Sequence, residues 1–351
     1  MDKKLIPSLN GIRAISILIV IFSHFKILNN FIRNNFYPAL ILENGALGVN
    51  IFFVISGFLI TKLLIAEEEK KGQVSLKNFY IRRILRIFPA YYFLLIIYYL
   101  LQNFKLIQLS NSSWISALTY SKFLNHSLDV YSEHLWSLSV EEWFYLFWPF
   151  IFIYLPRRRL LIALIVIILV PLIRLYGYNH KIYLFEIDGL TLFQRADGLM
   201  IGCIIALFYE KSLQLSIKIF KFIKFPKLLL LIFFCFAVFL ENLNIKHHLH
   251  LGIFLIPLLG SGGTITLLFI GLLILFSIND KTSWWYFFLN SKIMNYLGKL
   301  SYSLYLWQQI IIYGSLGFVS NKPYNLFFTF LLANISHYFI ERPFLKLKNK
   351  F

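Results

Sequence analysis

The chain has 351 residues, 59% of them hydrophobic and 14% charged, yet it carries a formal net charge of +18 from 34 Lys and Arg against 16 Asp and Glu. That much apolar surface exceeds what one soluble core hides, and the same proportions exclude an intrinsically disordered chain. A nucleic-acid binder would display its charge on a soluble face, so the class that remains is a polytopic membrane protein whose basic residues sit in loops.

Ten apolar runs approach the roughly 20 residues that a helix needs to cross a bilayer. They are 12–28, 46–66, 85–106, 136–155, 159–177, 190–210, 227–241, 260–279, 294–313 and 324–341. The seventh is short, and 251–260 reads as a re-entrant piece before the eighth. The first run ends in Ser23, His24 and Lys26 with no small-residue cleavage site, so it is read as a span and not as a signal peptide. With the N-terminus placed in the cytoplasm, 25 of the 34 basic residues fall inside and 8 outside, Lys122 and Arg174 among the latter, Arg195 alone lying deep in a span. That bias is the positive-inside pattern. The expectation is an all-α integral membrane protein, a single domain over 1–351 with about ten transmembrane helices and both termini cytoplasmic. Cys203 and Cys235 lie in apolar runs and read as small buried hydrophobes, without disulfide or metal-ligand spacing. His247, His248 and His250 cluster in an outside loop and read as solvated, so no metal is expected.

A charge in mid-bilayer costs about 2.5–3.5 kcal/mol even on a lenient scale, so each polar group within a span needs a reason. In the first span Arg13 and His24 are 11 residues apart, which leaves them about 20° apart around the helix and about 16–17 Å apart along it. They read either as a cation and an imidazole facing one cavity, or as a snorkelling arginine and a structural histidine. The second span carries Asn50 and Ser56 among Gly48 and Gly57, small residues suited to close helix approach. Ahead of the third, Arg82, Arg83 and Arg86 form a basic cluster at i,i+3 and i,i+4 spacing. Guanidinium pairs with phosphate in bidentate fashion, so the cluster suits a phosphate-rich ligand; anchorage on anionic membrane lipid is the alternative. The fourth span opens with Ser139, Glu141 and Glu142, of which only one glutamate faces the interior squarely, Ser139 sharing the face of Glu142. In the sixth, Arg195 and Asp197 are i,i+2 and so pair with other helices, Glu142 being one partner open to Arg195. The ninth carries an aromatic, polar stripe of Tyr302, Tyr305 and Gln309.

The set resembles the bacterial membrane acyltransferase-3 family, the O-acetyltransferases of cell-surface glycans. The matching pieces stand in the family's order. They are Arg13…His24, GVNIFFVISGFLIT at 48–61, FYIRRILRIFP at 79–89, HLWSLSVEEWFYLFWP at 134–149, FQRADGLMIG at 193–202, LGKLSYSLYLW at 297–307 and Glu341-Arg342-Pro343-Phe344. Asn50 stands where many members carry Asp, Gln308 where many have His, and Ile310 where Pro is frequent; a member without the C-terminal esterase-like domain that many others carry is expected.

The resemblance implies an acyl-CoA donor, usually acetyl-CoA, entering from the cytoplasm of a bacterial inner-membrane protein. It implies as acceptor a hydroxyl of an envelope glycan or its lipid-linked precursor, such as O-antigen, capsule or another exopolysaccharide. The residues fit these roles. Arg13, Arg82, Arg83 and Arg86 are expected to hold the donor's phosphates. His24 is the expected general base, its pKa suited to neutral pH, with Glu142 or a neighbour orienting it. Ser56 and Tyr305 are candidates for stabilising the oxyanion; Asn50, Arg195, Asp197 and Tyr302 are expected as supporting polar groups. No serine elbow or cysteine nucleophile is apparent, which favours direct transfer. A transporter or flippase of glycan or lipid intermediates is the runner-up, without the inverted repeats such proteins show, and a non-catalytic membrane scaffold is a third reading. No nucleic-acid partner is expected.

Overall fold

The structure is a computed structural model that describes residues 6–25, 41–42, 44–124, 129–179, 190–209, 211, 213–215, 232–237, 258–260, 262–313, 316–320, 323–348 and 350–351. Among the described residues every regular element is helical. The helices are α1 (Leu9–Phe25), α2 (Gly45–Lys71), α3 (Leu76–Asn103), α4 (Asn111–Leu118), α5 (Leu135–Tyr154), α6 (Arg159–Asn179), α7 (Leu190–Leu207), α8 (Thr264–Asn279), α9 (Trp284–Leu289), α10 (Lys292–Tyr313), α11 (Tyr324–Ile335) and α12 (Arg342–Lys348). A π-helical turn, Ser336–Glu341, joins the last two. Nine of the ten apolar runs thus coincide with a helix. Most of the 227–241 run, most of the 251–260 piece and the three clustered histidines lie outside the described residues.

Among the described residues three helical stretches, α2, α3 and Pro156–Gly177, are long and apolar enough to cross a membrane by length and composition. The apolar α1 and α8 are shorter, at 17 and 16 residues. The chain divides into two compact units, one of Met1–Ile65, Arg157–Ile187 and Leu192–Lys299, the other of Ala66–Pro156, Asp188–Thr191 and Leu300–Phe351.

The first unit is built on close backbone approach. A methyl group on Gly57 would strike the Leu199 carbonyl, and one on Gly202 would strike the Val54 carbonyl and stand 2.6 Å from the Phe58 nitrogen. Only glycine lets α2 and α7 cross at this separation. At the crossing the Cys203 thiol donates to the Gly57 carbonyl at 3.8 Å. Gly48 faces Ser16 and Val20 of α1 in the same way, and the Ser16 hydroxyl donates to the Gly48 carbonyl at 3.0 Å. The apolar core runs through α1, α2, α7 and α8, with Ile12, Val54, Phe58, Ile270 and Ile274 all but sealed from solvent. The start of α1 is tied to the end of α9 by a reciprocal pair: Ser8 N donates to Asn290 Oδ1 and Asn290 Nδ2 to Ser8 Oγ, each at 2.9 Å.

In the second unit α3 starts on an N-cap at Ser75, whose side chain satisfies one of the amides that a helix start leaves open. Tyr80 Oη donates to the Leu146 carbonyl of α5 at 2.8 Å and Tyr302 Oη of α10 to the Ile87 carbonyl at 2.9 Å. The stretch between α3 and α5 carries packed structure over its described residues. Its helix α4 is capped at the start by Ser110. Two neighbouring tyrosines of α3 cap its end, Tyr91 Oη donating to the Ala117 carbonyl at 2.8 Å and Tyr92 Oη to the Leu118 carbonyl at 3.1 Å. Lys122, counted from the sequence as an outside cation, is buried with Asp129, their charges 3.1 Å apart. Burial pushes its ammonium below the usual lysine range, and Asp129 pushes it back.

Candidate functional site

The candidate residues divide between the two units. In the first, Arg13 and His24 stand on the uninterrupted α1, both half-buried. Ser56 is half-buried on α2, one residue before the Gly57 crossing. Asn50, on the same helix, is buried. Arg195 of α7 comes to the same place: a methyl on Gly262 would clash with Arg195 Nη1 and lie 3.4 Å from Asn50 Nδ2. Glycine at 262 therefore leaves room for that guanidinium beside the asparagine amide.

Asp197 does pair with another helix, through a residue that charge counting had assigned to the outside. Arg174 of α6 is buried, and its Nη2 lies 2.6 Å from Asp197 Oδ1. Thr264, at the start of α8, donates to Asp197 Oδ2 at 2.7 Å and accepts from Arg174 Nη1 at 3.3 Å. The ring of three is closed, and Gly198 N adds a further donor to Oδ1 at 3.0 Å. Two facts in the sequence pointed to Arg174: it lies within the 159–177 run, and Asp197 lacks an in-helix partner.

In the second unit the three arginines of α3 separate. Arg82 is engaged, its Nη2 2.6 Å from Glu67 Oε2 and its Nη1 donating to the Phe351 carbonyl at 3.0 Å. Glu67 lies in the charged end of α2, beyond the apolar stretch. Partial burial raises its pKa, but the Arg82 guanidinium and Lys71 outweigh this and hold the carboxyl below the usual glutamate value. Arg83 is buried, its guanidinium 5.5 Å above the Tyr145 ring and 5.8 Å above that of Phe79, and its Nε has no hydrogen-bond partner. Arg86 is half-buried and makes no hydrogen bond or ion pair with any described residue.

Of the two glutamates on α5, Glu141 accepts from Tyr145 Oη at 3.0 Å. Glu142 is within electrostatic reach of Arg83, and of Tyr91, Tyr120 and Tyr302. Glu141 acts on Tyr302 and Tyr305 as well, so both carboxylates border the polar interior of this unit. Tyr302 is engaged at Ile87, and Tyr305 Oη donates to the His134 carbonyl at 2.9 Å and lies 2.6 Å from Ser137 Oγ. The Tyr305 hydroxyl thus has close protein partners already, a constraint on the oxyanion role considered for it. Gln309, the third member of that stripe, accepts from His134 N at 2.9 Å.

A family model described as an acyltransferase domain matches residues 6–339. The peptidoglycan O-acetyltransferase OatA of Listeria monocytogenes is 26% identical over 98% of this chain and 56% of the relative. The O-acetyltransferase OatA of Staphylococcus aureus is 29% identical over 97% of this chain and 57% of its own length. A putative O-acetyltransferase of S. aureus strain COL is 30% identical over 97% of this chain and 57% of the relative. The chain thus spans a little over half the length of these relatives. No solved structure matches it.

Proposed function

The chain belongs to the acyltransferase-3 family, and on that premise we propose that it is a membrane O-acyltransferase, moving an acetyl group from acetyl-CoA to a hydroxyl of a cell-envelope glycan. The single observation that carries this is the match over residues 6–339, which takes in both compact units. The name of the Listeria relative, a peptidoglycan O-acetyltransferase, favours peptidoglycan among the envelope acceptors. A bacterial inner-membrane location, with both termini cytoplasmic and about ten spans, completes the proposal.

The donor is a polyanion, and two arginines of α3 are not committed to a hydrogen-bonded carboxylate among the described residues, the half-buried Arg86 and the buried Arg83. Arg82 is committed to Glu67, whereas Arg86 has no partner among the described residues and Arg83 keeps an unmet Nε. Guanidinium groups in this condition bind phosphate without first breaking an ion pair. In the reaction the acceptor oxygen attacks the thioester carbonyl carbon. The imidazole of His24 takes the hydroxyl proton, the carbon–sulfur bond breaks, and the proton passes to the CoA thiolate. A positioned base of this kind contributes roughly 10²–10⁴-fold.

Purified protein in nanodiscs, given radiolabelled acetyl-CoA and peptidoglycan glycan strands, should label the glycan. His24→Ala should lower turnover by roughly 10²-fold or more with insertion intact, while Arg86→Ala should raise the donor KM and leave kcat near its starting value. A fully active His24→Ala protein overturns the assignment of the base. Movement of a glycan lipid across the bilayer without acylation would favour a flippase.

A further inference from the structure

Tyrosine hydroxyls tie the second unit together, and among its buried tyrosines those of Tyr91, Tyr98, Tyr145 and Tyr305 each donate to a protein acceptor. Those of Tyr80, Tyr91, Tyr92, Tyr98 and Tyr302 each donate to a backbone carbonyl at 2.8–3.1 Å. Tyr120 is different. It is 6% exposed and its hydroxyl has no hydrogen-bond partner among the described residues. The ring is fixed all the same: it stacks on Tyr91 at 4.2 Å and on Phe88 at 5.4 Å. Its backbone is held in the left-handed region, at φ 52°, where a bulky residue is rare. The Tyr120 carbonyl accepts from Trp143 Nε1 at 3.1 Å, and the nearby Lys122 amide donates to Ser139 Oγ at 3.3 Å. The chain is thus held in a disfavoured conformation that keeps a hydroxyl without an acceptor. Such outliers persist where the surroundings enforce them and mark candidate functional positions.

We propose that the Tyr120 hydroxyl donates a hydrogen bond to a carbonyl oxygen of the donor's acyl-pantetheine arm. This rests on the acyl-CoA reading above. The phenol is neutral at physiological pH, because burial raises its pKa far above the tyrosine range with Tyr302 and Glu142 adding to the effect, so what it lacks is an acceptor. Because the hydroxyl is sealed from solvent, the partner must be slender, which suits an extended thioester arm and not a glycan. The placement agrees: Tyr91, on which Tyr120 stacks, lies five residues beyond Arg86 on α3, about 7–8 Å along the axis. The arm between CoA's phosphates and its thioester is long enough to cover that distance. It offers two amide carbonyls and the thioester carbonyl, all acceptors of the same kind.

The test is Tyr120→Phe, which removes one oxygen and keeps the stacked ring. Acetyl transfer is measured with acetyl-CoA and with a truncated acetyl thioester lacking both amides. A rise in donor KM of about 3–10-fold with acetyl-CoA, absent with the truncated donor, places the bond on an amide carbonyl. A fall in kcat of about 10²-fold with both donors places it on the thioester carbonyl, where charge develops. The melting temperature should stay level or rise, since a buried unmet hydroxyl is removed. Unchanged constants with both donors overturn the inference and leave the proposed function standing. A wild-type protein that transfers acetyl from neither donor overturns the proposed function, and this inference with it.

Discussion

Arg174→Leu should be among the most damaging single substitutions in the first unit, for reasons that can be worked from the ring around Asp197. The carboxylate is fully buried, and Arg174 is the cation paired with it. The leucine variant leaves that charge with two neutral donors, the Thr264 hydroxyl and the Gly198 amide. An uncompensated buried charge costs about 3–5 kcal/mol, a shift of roughly 10²–10⁴-fold in the folding equilibrium. Thr264→Val removes only a hydrogen bond to a charged group and should cost about 1.5–3 kcal/mol. The decisive variant is the double one. In Arg174→Leu/Asp197→Leu both charges go together, and replacing a buried pair by apolar groups is often neutral or stabilising. The double variant should therefore be more stable than Arg174→Leu alone, with a coupling of about 0.5–3 kcal/mol or more. Thermal unfolding in nanodiscs, followed by intrinsic fluorescence and by retention of a monodisperse species, gives the order. If Arg174→Leu melts with the wild type, or the double variant melts no higher than the single, the ring is not the buried ionic lock described here.

Two more outcomes follow from the packing. Gly202→Val should destabilise the protein by about 1–3 kcal/mol or more through overpacking, since the added carbons meet the Val54 carbonyl, and loss of the monodisperse peak on gel filtration would report it. The Glu67–Arg82 pair should give the second unit a pH dependence. The folded pKa of Glu67 lies below its unfolded value, so its contribution is complete above the model-peptide value of 4.5 and fades as pH falls through the lower folded value. The melting difference between wild type and Glu67→Gln should accordingly narrow from pH 6 towards pH 3; a gap that stays constant would refute the assignment.

Apolar run length was enough to place the helices, because in a bilayer backbone polar groups must be satisfied within each segment and a spanning run has little choice but to be helical. The match of 136–155 to Leu135–Tyr154 and of 294–313 to Lys292–Tyr313 is of that kind. Pairing was not legible in the same way. Arg174 and Lys122 look like loop cations when charges are counted along the chain. Their partners, Asp197 at 23 residues' separation and Asp129 at 7, appear only once the elements are packed. Helical spacing put Arg82, Arg83 and Arg86 in one cluster but gave only their angles relative to each other. Which of them turns inward depends on where Glu67, Tyr145 and Glu142 lie. Spacing likewise said that only one of Glu141 and Glu142 faces the interior squarely, whereas both act on Tyr302.

The two tyrosines that cap α4 have a consequence for how the protein can be handled. Carbonyls at a helix end normally exchange bonds with water, and a short helix joined by connectors would then open freely. Here Ala117 and Leu118 are held by Tyr91 and Tyr92 of a 28-residue helix. Amide deuteration across 111–118 should therefore keep pace with α3 and not with a surface loop. For the same reason, an epitope tag or reporter inserted after Thr119 would not behave as a tolerated loop insertion. It would pull apart an anchored segment, and a topology map built on such an insertion would report a damaged fold.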